Sequence, residues 1–251
     1  MRDFIKKILK YLGYQITKMN KDKYPIDISE NIIKLYEEIE PYTATSIERV
    51  AALATSVNYV IDNDLKGDFV ECGVWKGGSC MIMAKELLKR GDISREIWMY
   101  DTFQGMTEPT DEDIEIETGI KGKNLLSGVQ KTTEKYNMWA YSPLDEVKKN
   151  MQKTGYPTDK FRYIVGKVED TLIESLPDEI ALLRLDTDWY ESTRFELEKL
   201  YPLIVSGGIL IIDDYGHFSG AKKAVDDYFK TISRPPLLNR IDYTGRLIIK
   251  K

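Results

Sequence analysis

The sequence predicts an α/β fold in which a mostly parallel sheet is covered by helices on both faces and ends in an antiparallel strand. Its 251 residues, 42% hydrophobic and 31% charged, suffice for one domain with a substantial core. Short runs rich in Ile, Leu and Val alternate with helical patterns, which is typical of a parallel sheet buried on both faces. A hairpin pattern over residues 237–242 and 246–250 closes the chain and predicts the antiparallel strand.

Two helices are predicted ahead of the sheet. The first covers residues 27–40, and the second follows Thr45 and runs to about Asn63. Thr45-Ser46-Ile47-Glu48 has the spacing of a capping box at the start of the second helix. The predicted strands cover residues 68–72, 96–101, 161–166, 180–186 and 208–213, and helices follow the first, fourth and fifth of them at residues 79–90, 190–201 and 220–229.

A long insertion separates the second and third strands, at about residues 107–160. It starts with an acidic stretch and contains a predicted helix near residues 142–153. Insertions of this length in compact folds are usually lids or linkers, and the aromatic cluster of Tyr136, Trp139 and Tyr141 favours a lid. We therefore divide the chain into an N-terminal helical arm and cap, residues 1–64, and a main domain, residues 65–251, that carries the lid.

The net charge of −5 is the sum of two unlike regions. Residues 1–23 carry seven bases and two acids, so the rest of the chain carries −10. Residues 2–14 have the pattern of a short basic amphipathic helix. We expect this arm to pack on its own domain or on a second subunit of a homo-oligomer, and weak peripheral contact with a membrane is the alternative.

Composition excludes several classes of function. The acidic balance argues against general nucleic-acid binding. No run of about 18 apolar residues and no secretory signal is present, so we expect a cytoplasmic protein. Cys72 and Cys80 form neither a disulfide framework nor a zinc pattern, and His217 is the single histidine, which excludes mechanisms that need two.

The first motif with chemical meaning is a glycine-rich turn between the first strand and its helix. Glycines at 73, 77 and 78 let the backbone approach a ligand, and Ser79 begins the helix. The spacing is not the dinucleotide pattern Gly-x-Gly-x-x-Gly. Glu71, at the strand end, suits an amine, so the turn fits an aminoacyl nucleoside better than NAD. An ordinary tight strand–helix turn is the alternative interpretation.

Acids follow the later strands as well. Asp101 ends the second strand, where it could accept hydrogen bonds from ribose hydroxyls, although a solvated strand-end aspartate would look the same. Asp186, Asp213 and Asp214 end two adjacent parallel strands, and like charges so close need a cation. Oxygen ligands of this kind suit Mg²⁺ best. Asp188 precedes a helix and is predicted to cap it.

His217 follows the acid pair by three residues. It could act as a general base or as a partner of a metal ligand. A loop histidine without a catalytic role is an equally good interpretation.

These motifs together resemble the macrocin O-methyltransferase family of S-adenosylmethionine- and Mg²⁺-dependent sugar O-methyltransferases. The likeness spans about residues 42–230. It is carried by residues 67–79 (GDFVECGVWKGGS), 100–106 (YDTFQGM), 143–147 (PLDEV) with 154–157 (TGYP), 166–171 (GKVEDT), 183–193 (LRLDTDWYEST) and 213–217 (DDYGH). One departure is Thr187, where the family commonly has Gly.

The resemblance implies a seven-stranded, Rossmann-like class I methyltransferase fold. It implies that the cofactor, S-adenosylmethionine, is contacted by residues after the first three strands and that three aspartates hold Mg²⁺. The predicted cofactor residues are Glu71, Gly73, Gly77, Ser79, Asp101, Thr102, Glu169 and Asp170, and the predicted metal ligands are Asp186, Asp213 and Asp214.

The expected reaction is methylation of a hydroxyl on a sugar of a natural-product glycoside, nucleotide sugar or cell-surface glycan. Asp186, or His217 through a water, is predicted to accept the hydroxyl proton. A catechol-type phenolic O-methyltransferase would use the same metal chemistry. A non-catalytic S-adenosylmethionine-binding partner and an NAD-dependent oxidoreductase are weaker alternatives, the latter because of the glycine spacing.

Overall fold

The computed structural model describes residue 11, residues 23–133 and residues 138–251. The predicted basic helix, apart from Tyr11, and Tyr136 of the aromatic cluster lie outside these residues.

Seven strands of the described chain form one sheet in the order β3-β2-β1-β4-β5-β7-β6. β1 to β5 run parallel, while β7 is antiparallel to β5 and β6 is antiparallel to β7. This confirms the predicted mostly parallel sheet with an antiparallel end. The strands are β1 Asp68–Cys72, β2 Ile97–Asp101, β3 Phe161–Val165, β4 Ile180–Leu185, β5 Ile204–Ile212, β6 Asn239–Arg240 and β7 Arg246–Ile249.

Two strands differ from their predicted bounds by more than one residue. β5 begins at Ile204 rather than at residue 208, because Gly207 and Gly208 lie inside the strand. Register with β4 shifts in that stretch, and Gly207 has φ +82°, so these glycines mark an irregularity of the strand rather than its start. β6 is only two residues long, since Asp242 accepts hydrogen bonds from two backbone N–H groups of the hairpin turn.

The helices cover both faces of the sheet. α1, α2, α3 and α5 share a core with Phe69, whereas α7 and α8 share the opposite core with Val70, as the period of two along β1 requires. Among the described helices, none is long and apolar enough to cross a membrane. The helices are α1 Glu30–Ile39, α2 Ile47–Asp62, α3 Gly78–Lys89, α4 Gly122–Leu125, α5 Leu144–Gln152, α6 Val168–Thr171, α7 Tyr190–Leu200 and α8 Ser219–Lys230.

The residue that caps α2 is not the one predicted. Ser46 is the N-cap, and its Oγ accepts a hydrogen bond from Arg49 N at 3.3 Å. The capping-box interpretation of Thr45 is therefore wrong. The Thr45 hydroxyl instead accepts a hydrogen bond from the guanidinium of Arg184, 139 residues further along the chain.

The insertion between β2 and β3 has two unlike halves. Its second half carries α5, whose Val147 and Met151 are buried in the core beneath α3. Its first half, residues 107–133, lies over the carboxyl ends of the strands, where Glu115 forms a β-bridge with Phe218. This first half, together with Trp139 and Ala140 after it, is therefore the part of the insertion placed to cover a site there, and α5 is not.

Replacing Ser46 with Ala should lower the free energy of unfolding by about 1–2 kcal/mol. The change removes the cap of α2 and the 2.9 Å hydrogen bond from Ser46 Oγ to Asp242 Oδ2. Ser29→Ala, at the exposed and longer cap of α1, is the matched control and should cost less than about 0.5 kcal/mol. Urea denaturation measures both, and equal losses would contradict the assignment.

Candidate active site

One cavity of about 440 Å³ opens at the carboxyl ends of the parallel strands. Most of the residues predicted from the sequence line it, because these ends share one edge of the sheet. Gly77 and Asp170 do not: Gly77 lies against Met151, and Asp170 is exposed. The predicted residues that line the cavity are Glu71, Gly73, Ser79, Asp101, Thr102, Glu169, Asp186, Asp213, Asp214 and His217.

The turns after β1 and β2 are held together by Asp101. Its carboxylate accepts hydrogen bonds from the backbone N–H groups of Val74 at 2.6 Å, Trp75 at 3.1 Å and Phe103 at 2.6 Å. Burial raises the pKa of Asp101, and these three N–H groups oppose that shift. Gly73 has φ +80°, and a Cβ there would overlap the carbonyl oxygen of Asp186. The loops after β1 and β4 therefore touch at this glycine.

Glu71 is bound by protein groups on both of its oxygens. Arg184 Nη1 donates to Oε1 at 2.5 Å, and the Cys80 thiol donates to Oε2 at 2.8 Å. Burial raises the pKa of Glu71 to about 7, against the opposing effect of Arg184. The carboxyl faces the cavity, but each of its oxygens already accepts a hydrogen bond from the protein.

Arg184 lies in the middle of this polar cluster with 2% of its surface exposed. Besides Glu71, its guanidinium donates to Asp186 Oδ2 at 2.6 Å, to Asp213 and to Thr45 at 3.2 Å. Burial alone would lower the pKa of Arg184, but the carboxylates, Asp186 foremost, raise it well above its usual value. The cation is therefore permanent and links the β1, β4 and β5 ends.

Asp213 is shared between two guanidinium groups. Arg184 binds one of its oxygens and Arg49, from α2, binds the other. Arg49 Nε also lies 3.0 Å from Asp242 in the β6–β7 turn. The carboxylate of Asp213 is thus directed toward the N-terminal helices.

The three carboxylates that converge on one point are those of Asp186, Asp188 and Asp214. One oxygen from each lies within 4.8 Å of the others. The trio differs from the predicted metal set in having Asp188 where Asp213 was expected. Asp188 does not cap a helix as predicted. It has a left-handed backbone, φ +66°, and it hydrogen-bonds to Asp214. Burial, and after it repulsion from the neighbouring carboxylates, raise the pKa of both Asp188 and Asp214.

The first half of the insertion is fastened to the loops that carry these acids. Asp113 is buried, and its Oδ1 accepts from the backbone N–H of Tyr190 at 2.7 Å, the capping position predicted for Asp188. Ile116 N donates to His217 O at 2.8 Å. The imidazole Nε2 of His217 lies 3.6 Å from Glu115 Oε1, so His217 faces the insertion as well as the cavity.

Beside the trio lies a buried carboxyl that sequence reasoning missed. Glu196, on α7, accepts a hydrogen bond from Thr187 Oγ1 at 2.9 Å. Its other oxygen, Oε2, is buried without a hydrogen-bond partner among the described residues. Burial raises the pKa of Glu196 to about 8, so the carboxyl is mainly neutral at pH 7.

Sequence reasoning also missed Arg184, Arg49, Thr45 and Asp113. Arg184 could have been found, because a charged residue within the apolar run of β4 needs partners at its buried position. The other three come from segments far from the strand ends, and no local spacing marks them.

The strand order, the glycine-rich turn after β1, the acid after β2 and the acids after β4 and β5 together define the class. They are the features of an S-adenosylmethionine-dependent methyltransferase of class I.

Comparison with known proteins gives the family. The Macrocin-O-methyltransferase (TylF) family model matches residues 38–250. The chain is 32% identical over 204 residues to the 8-demethyl-8-(2,3-dimethoxy-alpha-L-rhamnosyl)-tetracenomycin-C 4'-O-methyltransferase of Streptomyces olivaceus, across 81% of this chain and 74% of that protein. It is 33% identical over 205 residues to the demethyldecarbamoylnovobiocin O-methyltransferase of Streptomyces niveus, with the same coverage. The chain belongs to the macrocin O-methyltransferase family, as its motifs predicted.

A solved structure supports the same family. The structure of the O-methyltransferase NovP matches this chain with a TM-score of 0.72 at 32% identity, and the match covers 84% of this chain and 82% of that chain. The predictions of a class I fold and of an S-adenosylmethionine-dependent O-methyltransferase are confirmed.

Glu196→Gln should change how stability depends on pH. The carboxyl titrates near pH 8 when folded and near 4.5 when unfolded, so between these values the folded chain keeps a proton that the unfolded chain has lost. Raising the pH across this window therefore favours unfolding, by up to about 4 kcal/mol, and the Gln variant lacks that loss.

Urea denaturation in EDTA from pH 5 to pH 8 measures the effect. The free energy of unfolding of Glu196→Gln should rise relative to the wild type as the pH increases. Glu198→Gln, on the exposed side of the same helix, is the control and should keep a constant difference. Parallel curves for wild type and Glu196→Gln would rule out the buried neutral carboxyl.

Proposed function

We propose that the chain transfers a methyl group from S-adenosylmethionine to a hydroxyl of a sugar, with Mg²⁺ at the carboxylate trio. The observation that carries the proposal is one cavity lined both by most of the predicted cofactor residues and by the converging carboxylates. A methyl donor and an acceptor hydroxyl can therefore meet in one cavity.

The sugar acceptor is supported by the relatives. One is named as a 4'-O-methyltransferase of a rhamnosyl-bearing tetracenomycin, and the match covers 81% of this chain. The trio supports the same class of acceptor, because adjacent hydroxyls are good oxygen ligands for a hard cation. A catechol has the same diol geometry and is the second candidate.

Asp101 and the glycine-rich turn would hold S-adenosylmethionine. Asp101 keeps the turn after β1 against the end of β2, which leaves Thr102 and Gly73 on the cavity wall. Glu169, after β3, lines the same wall and would lie near the adenine. Glu71 would have two partners, the cofactor amine and Arg184, which already binds its Oε1.

Asp186, Asp188 and Asp214 fit a divalent cation. Their donor set is all oxygen, their oxygens lie within 4.8 Å, and three acids so close repel one another unless protons or a cation intervene. When bound, Mg²⁺ would lower the pKa of an acceptor hydroxyl and orient it. Asp213 stays a predicted ligand, at present turned toward Arg49 and Arg184.

The chain's own groups would complete the reaction. Asp186, or His217 through a water, would accept the hydroxyl proton, and both line the cavity. Trp139 and Ala140 of the insertion line it too, so the insertion would limit the access of water.

Removal of divalent cations should abolish methyl transfer, and Mg²⁺ should restore it. Asp214→Asn should lower the rate about 100-fold or more, because it removes a charged ligand, while S-adenosylhomocysteine affinity stays within a few-fold. Asp227→Asn, on the exposed side of α8, is the matched control and should keep full activity.

The assay combines the chain with S-adenosylmethionine and a panel of rhamnosyl glycosides and catechols, and mass spectrometry detects the added methyl. Methylation of glycosides alone identifies the sugar class, and methylation of catechols alone identifies the phenolic one. Full activity in EDTA would refute the metal role. Full activity of Asp188→Asn would exclude Asp188 from the metal set, and full activity of Asp213→Asn would exclude Asp213.

A further inference from the structure

Thr187 lies between two members of the carboxylate trio, at the position where the resembling family commonly has Gly. We propose that Thr187 and Glu196 are a positioning pair that keeps Asp186 and Asp188 in their converging arrangement. The inference rests on the proposed metal site and adds two residues that do not contact the metal.

The side chain of Thr187 is held on two sides. Its hydroxyl donates to Glu196 Oε1 at 2.9 Å, which ties the loop to α7. Its methyl group faces the glycine-rich turn, since a Cβ built on Gly73 would lie 3.3 Å from Thr187 Cγ2. A residue without a side chain at 187 would make neither contact.

The backbone of the loop is held by the same short segment. The Thr187 carbonyl accepts from Trp189 N at 2.8 Å and from Ser192 Oγ at 3.4 Å. Asp188 has φ +66°, a left-handed conformation that costs a non-glycine residue about 1 kcal/mol or more. Such a conformation persists only where its surroundings hold it, and the β-branched Thr187 is stiffer than Gly at the adjacent position.

Glu196 can hold Thr187 in place because its carboxyl is buried and mainly neutral. It is fully buried, and Thr187 supplies a hydrogen bond to one oxygen while the other has no partner among the described residues. A neutral carboxyl can accept that hydrogen bond without adding a further negative charge beside the trio. A buried polar group is costly, so its bond to Thr187 gives the loop a single preferred position.

The test compares two substitutions that each remove part of Thr187. Thr187→Val keeps the shape and deletes the hydroxyl, whereas Thr187→Ser keeps the hydroxyl and deletes the methyl. Isothermal titration with Mn²⁺, in saturating S-adenosylhomocysteine, measures the metal site directly. We expect Val to weaken Mn²⁺ binding about 10-fold and Ser to stay within about threefold, since partners of metal ligands typically contribute 10- to 100-fold.

Glu196 provides the second half of the test. Glu196→Leu should weaken Mn²⁺ binding about as much as Thr187→Val, and Glu196→Gln should stay close to the wild type because its amide oxygen still accepts the bond. Adding Thr187→Val to Glu196→Leu should cause little further loss, as expected for one shared interaction. Affinity for S-adenosylhomocysteine, unchanged within about twofold, reports that each variant is folded.

The outcomes separate this inference from the proposed function. Equal Mn²⁺ affinities of Thr187→Val and Thr187→Ser, or additive losses in the double variant, would overturn the positioning pair alone. Failure of the wild type to bind Mn²⁺ would overturn the metal site and the pair together. If Thr187→Val does not bind S-adenosylhomocysteine, Thr187→Gly takes its place with the same expected loss.

Discussion

The buried guanidinium of Arg184 is the interaction on which the arrangement of the site depends. It binds Glu71 from β1, Asp186 after β4, Asp213 after β5 and Thr45 ahead of α2. A charge buried this deeply is tolerated only if its hydrogen bonds are all made, and loss of one buried partner typically costs about 3–5 kcal/mol. The ends of β1, β4 and β5 and the residue ahead of the N-cap of α2 are therefore fixed relative to a single cation.

This network divides the acids of the site into two groups. Asp213 and Asp214 are neighbours in the chain, but at the end of a strand successive side chains point to opposite sides. Asp213 reaches the two arginines, and Asp214 reaches Asp188. Asp186 belongs to both groups, because Arg184 binds its Oδ2 and one of its oxygens lies within 4.8 Å of oxygens of Asp188 and Asp214. Among the described residues, Asp188 and Asp214 form no ion pair with a lysine or an arginine, which is why a cation suits the trio.

Most of the sheet could be predicted from sequence because short apolar runs indicate buried strands. The carboxyl ends of parallel strands share one edge of the sheet irrespective of the length of the loops between them. Those two facts were enough to bring Asp101 and Asp186 into one cavity. Asp188 shows the limit. An aspartate just before a helix ordinarily caps it. Only the tertiary structure reveals that Asp113, from the insertion, accepts the hydrogen bond of the first N–H of α7 instead. Arg49 was equally out of reach, since its partner Asp213 is 164 residues away.

The insertion is tied to the site by one buried acid and one backbone hydrogen bond rather than by its exposed acids. Asp113 binds the first residue of α7, two positions beyond Asp188, and Ile116 binds the carbonyl of His217, three positions beyond Asp214. Both loops that supply the trio are thus attached to the base of the segment whose far end, at Trp139, lines the cavity. The two loops of the trio are therefore held by the insertion as well as by the strands that precede them, so the part of the chain that lines the cavity and the part that supplies the acids share one set of hydrogen bonds.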